Sequence, residues 1–368
     1  MRVIDRLIGG RGGNLPAMHR GVLERAVPDQ SRSRRTVALG LGVVRSIGFC
    51  AMLSCLVMGC SQPEPSERSP GLDFSALVDA DAVDTALPPL QDYVARDGAH
   101  LQYRHFPADS PVWLVLIHGS AADSVYLKSF AQALASTGVA NVVTPDLRGH
   151  GPSPEVRGDI GYIAQLEDDL ADLVRHLQSQ EAQVSDIIIG GHSSGGGLAL
   201  RFAGSEYGRG VAGYLLLAPY LGHAAPTTRQ QSGGWATPNR VRIVPIALAN
   251  ALGIRWFNGI DTLRFNLPAA YRTGRDTLAY SYRLMTGYAP RDYAADLAAI
   301  DVPALLLVGT KEEAFLPGRY ETTVAAHNQR VVVELVAGAS HLGLVMQDET
   351  TDRVGTWLAQ FKPPHGMP

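Results

Sequence analysis

Ser193, in Gly191-His192-Ser193-Ser194-Gly195, is the residue of this chain best placed to do chemistry. The segment fits the pattern G-x-S-x-G, and the apolar run Ile187-Ile188-Ile189-Gly190 leads straight into it. Gly196-Gly197-Leu198-Ala199-Leu200-Arg201-Phe202 follows and reads as the start of a helix. A serine on so sharp a strand-to-helix turn is forced into a strained backbone conformation that projects its hydroxyl above the sheet. Glycines flank it because side chains there would collide with strand and helix. A serine hydroxyl is a poor nucleophile at neutral pH and needs an adjacent base to take its proton. Of the 11 histidines, only His341 sits late, in the turn Gly338-Ala339-Ser340-His341 between a strand-like run and a closing helical pattern. From there it can return to the edge where Ser193 stands, so His341 is the expected base.

Other chemistries find little support. The three cysteines, Cys50, Cys55 and Cys60, share one apolar stretch near the N-terminus. The folded body therefore has no disulfide framework, cysteine nucleophile or cysteine-ligated metal. It has no H-E-x-x-H and no clustered His/Asp spacing, so neither metal nor cofactor is expected. The glycines around Ser193 match neither a G-x-G-x-x-G fingerprint nor a P-loop with its lysine. The formal net charge of −3 hides an asymmetry. Residues 1–60 carry nine arginines against Asp5, Glu24 and Asp29, a balance of +6, which leaves −9 on the remainder. An acidic body without a basic face argues against nucleic acid as a partner.

The elements that must position Ser193 and His341 are legible as alternating patterns. Val112–Ile117 is a continuous apolar run, as expected for a strand covered on both faces. The segments 140–144, 187–189, 214–217, 304–308 and 331–335 repeat that character. Ile163, Leu166, Leu170, Leu173 and Leu177 form the stripe of an amphipathic helix, with Asp168 and Asp169 expected on its wet side. Val354, Trp357, Leu358 and Phe361 give a closing helix. This alternation predicts an α/β fold with a mostly parallel, doubly wound sheet over residues 98–362. The segment 100–106 is expected as an antiparallel edge strand. Between about 222 and 299 the alternation breaks, and a helical cap insertion is expected there, with short helices at 243–252 and 277–285. Its aromatic residues Trp235, Trp256, Phe257, Tyr271, Tyr280, Tyr282 and Tyr288 either line a pocket or pack the cap together.

The N-terminus reads as an address. Arg45 precedes an uncharged, mostly apolar run, Ser46–Gly59, too short to span a bilayer comfortably as a helix. The layout of basic region, apolar region and small residue is that of a secretory signal. Leu56-Val57-Met58-Gly59-Cys60 resembles the lipobox of bacterial lipoproteins, which implies lipidation at Cys60 and a protein exported to the cell envelope. Residues 61–97 are expected as a polar tether and extension. An uncleaved N-terminal anchor is the alternative, and Ser33-Arg34-Arg35 also resembles a twin-arginine signal. Residues 1–30 are long for such a leader, and translation starting further downstream is a further alternative.

The body resembles the α/β-hydrolase superfamily, and within it the monoglyceride lipase and lysophospholipase-like esterases. The residues that carry the resemblance are Leu116–Ser120, Pro145–Gly151, Gly191–Gly195, Gly309–Glu312 and Gly338–His341, in the family's order, each after a predicted strand. The resemblance implies a carboxylate in the turn after the 304–308 strand, where this chain has Glu312 followed by Glu313 in place of the commoner aspartate. Glu312 is favoured, with Glu313 as the alternative, since neighbouring side chains in an extended turn point apart. It also implies an oxyanion hole from the backbone N–H groups of Ser120 and Ser194, with Ala121 as a substitute for Ser120. His118, His150 and Asp146 are expected to be structural. The implied activity is carboxylic-ester hydrolysis by a Ser-His-Glu triad on a small, lipid-like substrate. The alternatives are acyl transfer or amide cleavage with the same triad, or a non-catalytic binding lipoprotein.

Overall fold

Apolar runs with no polar alternation can only be satisfied when both faces are covered, and the chain meets that demand with one central sheet. The computed structural model describes residues 71–75, 87–180, 186–229 and 234–361. The chain divides into two units, 1–66 and 67–368, and every described residue belongs to the second. The expected leader and Cys60 lie outside the described residues. Among the described residues, no helix is long and apolar enough to cross a membrane.

In chain order the strands before the cap are β1 (Leu90–Val94), β2 (His100–Phe106), β3 (Val112–Ile117), β4 (Asn141–Asp146), β5 (Asp186–His192) and β6 (Gly213–Leu217). The cap holds β7 (Ala236–Pro238), β8 (Asp261–Phe265) and β9 (Ala279–Ser281), and β10 (Ala304–Gly309) and β11 (Val331–Val336) follow it. The main sheet has eight strands in the order β1-β2-β4-β3-β5-β6-β10-β11. From β4 to β11 every pairing is parallel, while β1 and β2 run antiparallel to their neighbours. Every residue of β3, β6 and β10 is buried. The helices are α1 (Lys128–Ser136), α2 (Gln165–Gln180), α3 (Ser194–Ala203), α4 (Arg240–Ala251), α5 (Tyr282–Gly287), α6 (Tyr293–Ala298), α7 (Tyr320–Ala325) and α8 (Asp348–Leu358).

The structure departs from the sequence expectation in four places. The edge of the sheet is β1, not the 100–106 strand, because Leu90–Val94 pairs outside it. Those residues fall within the stretch expected as tether and extension. The cap is not simply helical: β7, β8 and β9 form a three-stranded antiparallel sheet. The expected helix at 243–252 is α4, whose start is capped by the Asn239 side chain accepting from the Arg242 N–H. The expected helix at 277–285 is instead β9 followed by α5, since β8 takes up the backbone of β9 and Ser281 caps the helix only from Tyr282 onward.

The fourth departure is α2, whose acidic residues are not simply solvated. Glu167, Asp169 and Asp172 are all buried. Asp169 pairs with Arg148 at 2.8 Å and Asp172 with Arg96 at 3.0 Å. Glu167 pairs with Arg201 of α3 at 2.7 Å and with Arg291, on the chain returning from the cap. Buried charges are tolerated only when so paired. Local periodicity reports an apolar stripe and cannot report partners this distant in sequence.

One face of the cap stays open. Val241, Val244, Leu248, Leu252, Trp256 and Phe257 are exposed, Trp256 to 91%. The segment 240–260 carries Arg240, Arg242 and Arg255 and no acid.

Candidate active site

A strand feeding a helix through a single residue must reverse its backbone abruptly, and Ser193 does so between β5 and α3. Its backbone sits at φ 56° and ψ −119°. A Cβ on Gly191 would run into the Gly195 backbone, and one on Gly195 would run into Ile117 and His118. Only glycine fits at both points of close approach. The conformation is pinned by the Ser193 N–H donating to the Leu217 carbonyl at 2.9 Å. The Ser193 carbonyl accepts from Gly197 at 3.0 Å and Tyr220 at 2.9 Å. Among the described residues the other non-glycine positive φ values are Ala121 and Ala218. All three follow the carboxyl ends of central strands, and such strain, roughly 1–3 kcal/mol each, persists only where the surroundings over-determine it.

His341 is delivered by the turn after β11, and Glu312 by the turn after β10. The Nδ1 of His341 lies 2.8 Å from Glu312 Oε2, with both side chains buried. The other carboxylate oxygen, Oε1, accepts from the backbone N–H groups of Ala314 at 2.7 Å and Phe315 at 3.2 Å. A carboxylate so held is an acceptor, which puts the imidazole proton on Nδ1 and leaves Nε2 free to take one. Glu313 turns the other way. Its Oε2 accepts from the His341 backbone N–H at 2.6 Å, and its Oε1 from the Asp73 N–H at 3.1 Å. The neighbouring glutamates thus divide the histidine between them, Glu312 holding the ring and Glu313 the backbone.

Sequence reasoning missed His192. Its Nε2 donates to the His341 carbonyl at 3.0 Å, and its Nδ1 accepts from the Tyr126 hydroxyl at 2.8 Å. Burial pushes its pKa well below the ordinary histidine value, so it is neutral and braces His341 as a hydrogen-bonding group. Its place beside the serine was the available signal.

The two expected oxyanion donors sit on different elements. Ser194 heads α3, where the first N–H groups have no intrahelical acceptor. Ser120 follows His118-Gly119 after β3, and its Oγ lies 2.5 Å from Ser194 Oγ. The N–H of Ala121, the expected substitute, already donates to the Tyr280 hydroxyl at 2.9 Å. That hydroxyl also meets His150 Nε2 at 2.6 Å, and Tyr288 donates to the His118 carbonyl. His118 accepts from the Leu147 N–H at 3.4 Å, and Asp146 Oδ1 from the Ser124 N–H at 2.6 Å. His118, His150 and Asp146 therefore brace the loops around the site. Two cap tyrosines lock the Ser120 loop, a role invisible to local pattern. Tyr280→Phe leaves the Ala121 N–H and His150 Nε2 without these partners, so a denaturant titration should show a loss of about 1–3 kcal/mol.

Ser193, His192 and His341 open onto a cavity of about 530 Å³, within the size range of small-molecule sites. Trp235, Leu267, Tyr271, Leu342 and Met346 line it, as do Asp123, Arg272 and Arg275. Arg275 is paired with Asp123 at 2.6 Å. Of the aromatic residues singled out above, Trp235 and Tyr271 reach the cavity, whereas Tyr280 and Tyr288 are buried braces and Trp256 and Phe257 point to solvent.

The profile of the alpha/beta hydrolase family matches residues 114–354, well over half of the chain. The chain belongs to that family. Among solved structures, a soluble variant of monoglyceride lipase from Saccharomyces cerevisiae is similar with a TM-score of 0.59 and 19% identity, covering 77% of this chain and 98% of that one. A monoacylglycerol lipase from Paleococcus ferrophilus gives 0.54 at 20% identity, covering 71% and 99%. A thermophilic esterase from Thermogutta terrifontis gives 0.51 at 21%, covering 75% and 100%. At such identities the likeness establishes the fold. A curated relative, the magnesium-chelatase 30 kDa subunit of Rhodobacter capsulatus, is 35% identical over 97 residues, 26% of this chain. The matched part of this chain spans 31% of that relative's length.

Proposed function

We propose that this alpha/beta hydrolase cleaves carboxylic esters through an acyl-enzyme on Ser193. The observation that carries the reading is the buried Glu312–His341 hydrogen bond behind the cavity that His341 and the strained Ser193 both line. In this mechanism His341 Nε2 takes the Ser193 proton as Oγ bonds to the ester carbonyl carbon. The carbonyl oxygen becomes an oxyanion that accepts from the Ser120 and Ser194 N–H groups. The tetrahedral intermediate collapses, the C–O bond breaks, and the alcohol leaves with the proton from His341. Water then repeats the sequence, with His341 as base, and releases the acid and free Ser193. Glu312 holds the ring tautomer and stabilises the imidazolium without itself taking the proton.

A substrate with an apolar acyl chain suits the Trp235, Leu267, Tyr271 and Met346 side of the cavity. Export and lipidation at Cys60, as the leader implies, would hold the domain beside a membrane. The exposed apolar face of the cap, with Arg240, Arg242 and Arg255 in the same segment, has the make-up of a surface that lies on anionic lipid. In a chain starting at Ser61, which carries neither leader nor lipid anchor, the domain should sediment with vesicles containing an anionic phospholipid. Leu252→Glu with Trp256→Glu should abolish that association.

The test of the activity is paired. A fluorophosphonate probe should label Ser193, and p-nitrophenyl esters should be hydrolysed with labelling and turnover lost together in Ser193→Ala. A folded sample that neither takes the label nor turns over any ester would sink the reading in favour of a binding protein. Transfer of the acyl group to an added alcohol in preference to water would reassign the same site to acyl transfer.

A further inference from the structure

The described segment 71–75 precedes the expected catalytic domain by more than twenty residues, yet it contributes to the site. Leu72 and Phe74 line the cavity that holds Ser193 and His341. The Phe74 ring lies 5.5 Å from that of Trp235 and 5.4 Å from that of Tyr271, so three aromatic rings from two separate stretches of chain close one side of the cavity. The segment has a defined shape. Asp73 Oδ1 accepts from the Ser75 N–H at 3.0 Å and from its hydroxyl at 2.6 Å, the pattern of an Asx turn. It also has an anchor, the Asp73 N–H donating to Glu313 Oε1, while Oε2 of the same carboxylate accepts from the His341 N–H.

We propose that Leu72 and Phe74 form a wall of the acyl-binding cavity and set acyl-chain length, and that Glu313 is the positioning residue tying this wall to His341. The inference rests on the esterase reading and deepens it. An aromatic ring in the wall of an acyl-binding cavity limits the chain that fits, and its rigid contact with two neighbours resists displacement. A single methylene misfit in such a cavity costs binding by tenfold or more. A carboxylate with two donors from distant stretches couples them. If the segment leaves, Glu313 loses the partner that fixes its Oε1, and the oxygen holding the His341 backbone is less well placed. The sequence contains no signal for this, since Leu72-Asp73-Phe74 falls within the stretch 61–97 expected as tether and extension.

The experiment is a kinetic series on the full chain with p-nitrophenyl acetate, butyrate, octanoate and laurate. Phe74→Ala should move the optimum of kcat/KM to longer chains and raise KM for the butyrate ester roughly tenfold, the change falling mainly on KM. Phe74→Trp should move the optimum the other way, to shorter chains, and carries the test if Phe74→Ala fails to fold. Glu313→Gln offers one acceptor where two N–H groups need one each, so it should shift the chain-length profile and lower kcat together. Wild-type turnover with an unchanged profile and KM in the Phe74 variants would overturn the wall. An unchanged profile and kcat in Glu313→Gln would overturn the tie. A wild-type chain that hydrolyses none of the esters and takes no fluorophosphonate label would instead remove the underlying esterase reading.

Discussion

Ser193→Ala should lower kcat/KM for a p-nitrophenyl ester by roughly four to six orders of magnitude. The size follows from what remains. Oxyanion donors and the cavity survive the substitution, and such remnants accelerate hydrolysis by about 10³–10⁴ over water without the nucleophile. The fold should survive too, because alanine meets the same φ of 56° and the three backbone hydrogen bonds that pin the residue do not involve Oγ. Adding His341→Ala should cost little more, since base and nucleophile act as a unit. Steady-state kinetics on both variants, with circular dichroism to establish folding, check this. Retention of more than a few per cent of activity by a folded Ser193→Ala protein would mean that another group attacks the ester.

Glu312→Gln should lower kcat by roughly 10⁴, the effect of giving the base the wrong tautomer. Here the structure dictates how the amide would sit. Oε1 of Glu312 faces two backbone N–H groups, at Ala314 and Phe315, and only an oxygen can satisfy them. The glutamine carbonyl is therefore held on that side, and its NH2 is turned toward His341 Nδ1. A donor there makes Nδ1 the acceptor and puts the imidazole proton on Nε2, so the ring can no longer take the Ser193 proton. Glu313→Gln leaves the ring tautomer untouched, and its kcat should fall far less. The two substitutions run side by side distinguish the roles of neighbouring carboxylates by kcat alone.

Much of this site was legible before any coordinates. The apolar runs 112–117, 187–189, 214–217 and 304–308 read as strands covered on both faces, because short unbroken apolar runs alternating with helical periods suit a parallel sheet wrapped on both sides. The turn around Ser193 was legible because its glycines mark points where backbone meets backbone, a local demand written into local sequence. His341 was legible from its place after the last strand-like run. Glu312 came from resemblance to a family, and its preference over Glu313 from the alternation of side chains along an extended turn.

What the chain by itself determined, then, was the run of strands and helices from residue 100 onward outside the cap, and the order in which chemistry-bearing residues reach one edge of the sheet. Tertiary structure decided everything that depends on partners far apart in the chain. Glu313 became a bridge between Asp73 and His341, residues from opposite ends of the described chain. Tyr280, one of nine cap aromatics with nothing local to distinguish it, became the hydroxyl that fixes the Ala121 N–H. Asp169, expected on the wet face of its helix, is buried because Arg148 meets it from the turn after β4. Hydrophobic period and turn chemistry extend over a few residues, so they specify elements. A hydrogen bond between residues 240 positions apart is specified only when those elements pack.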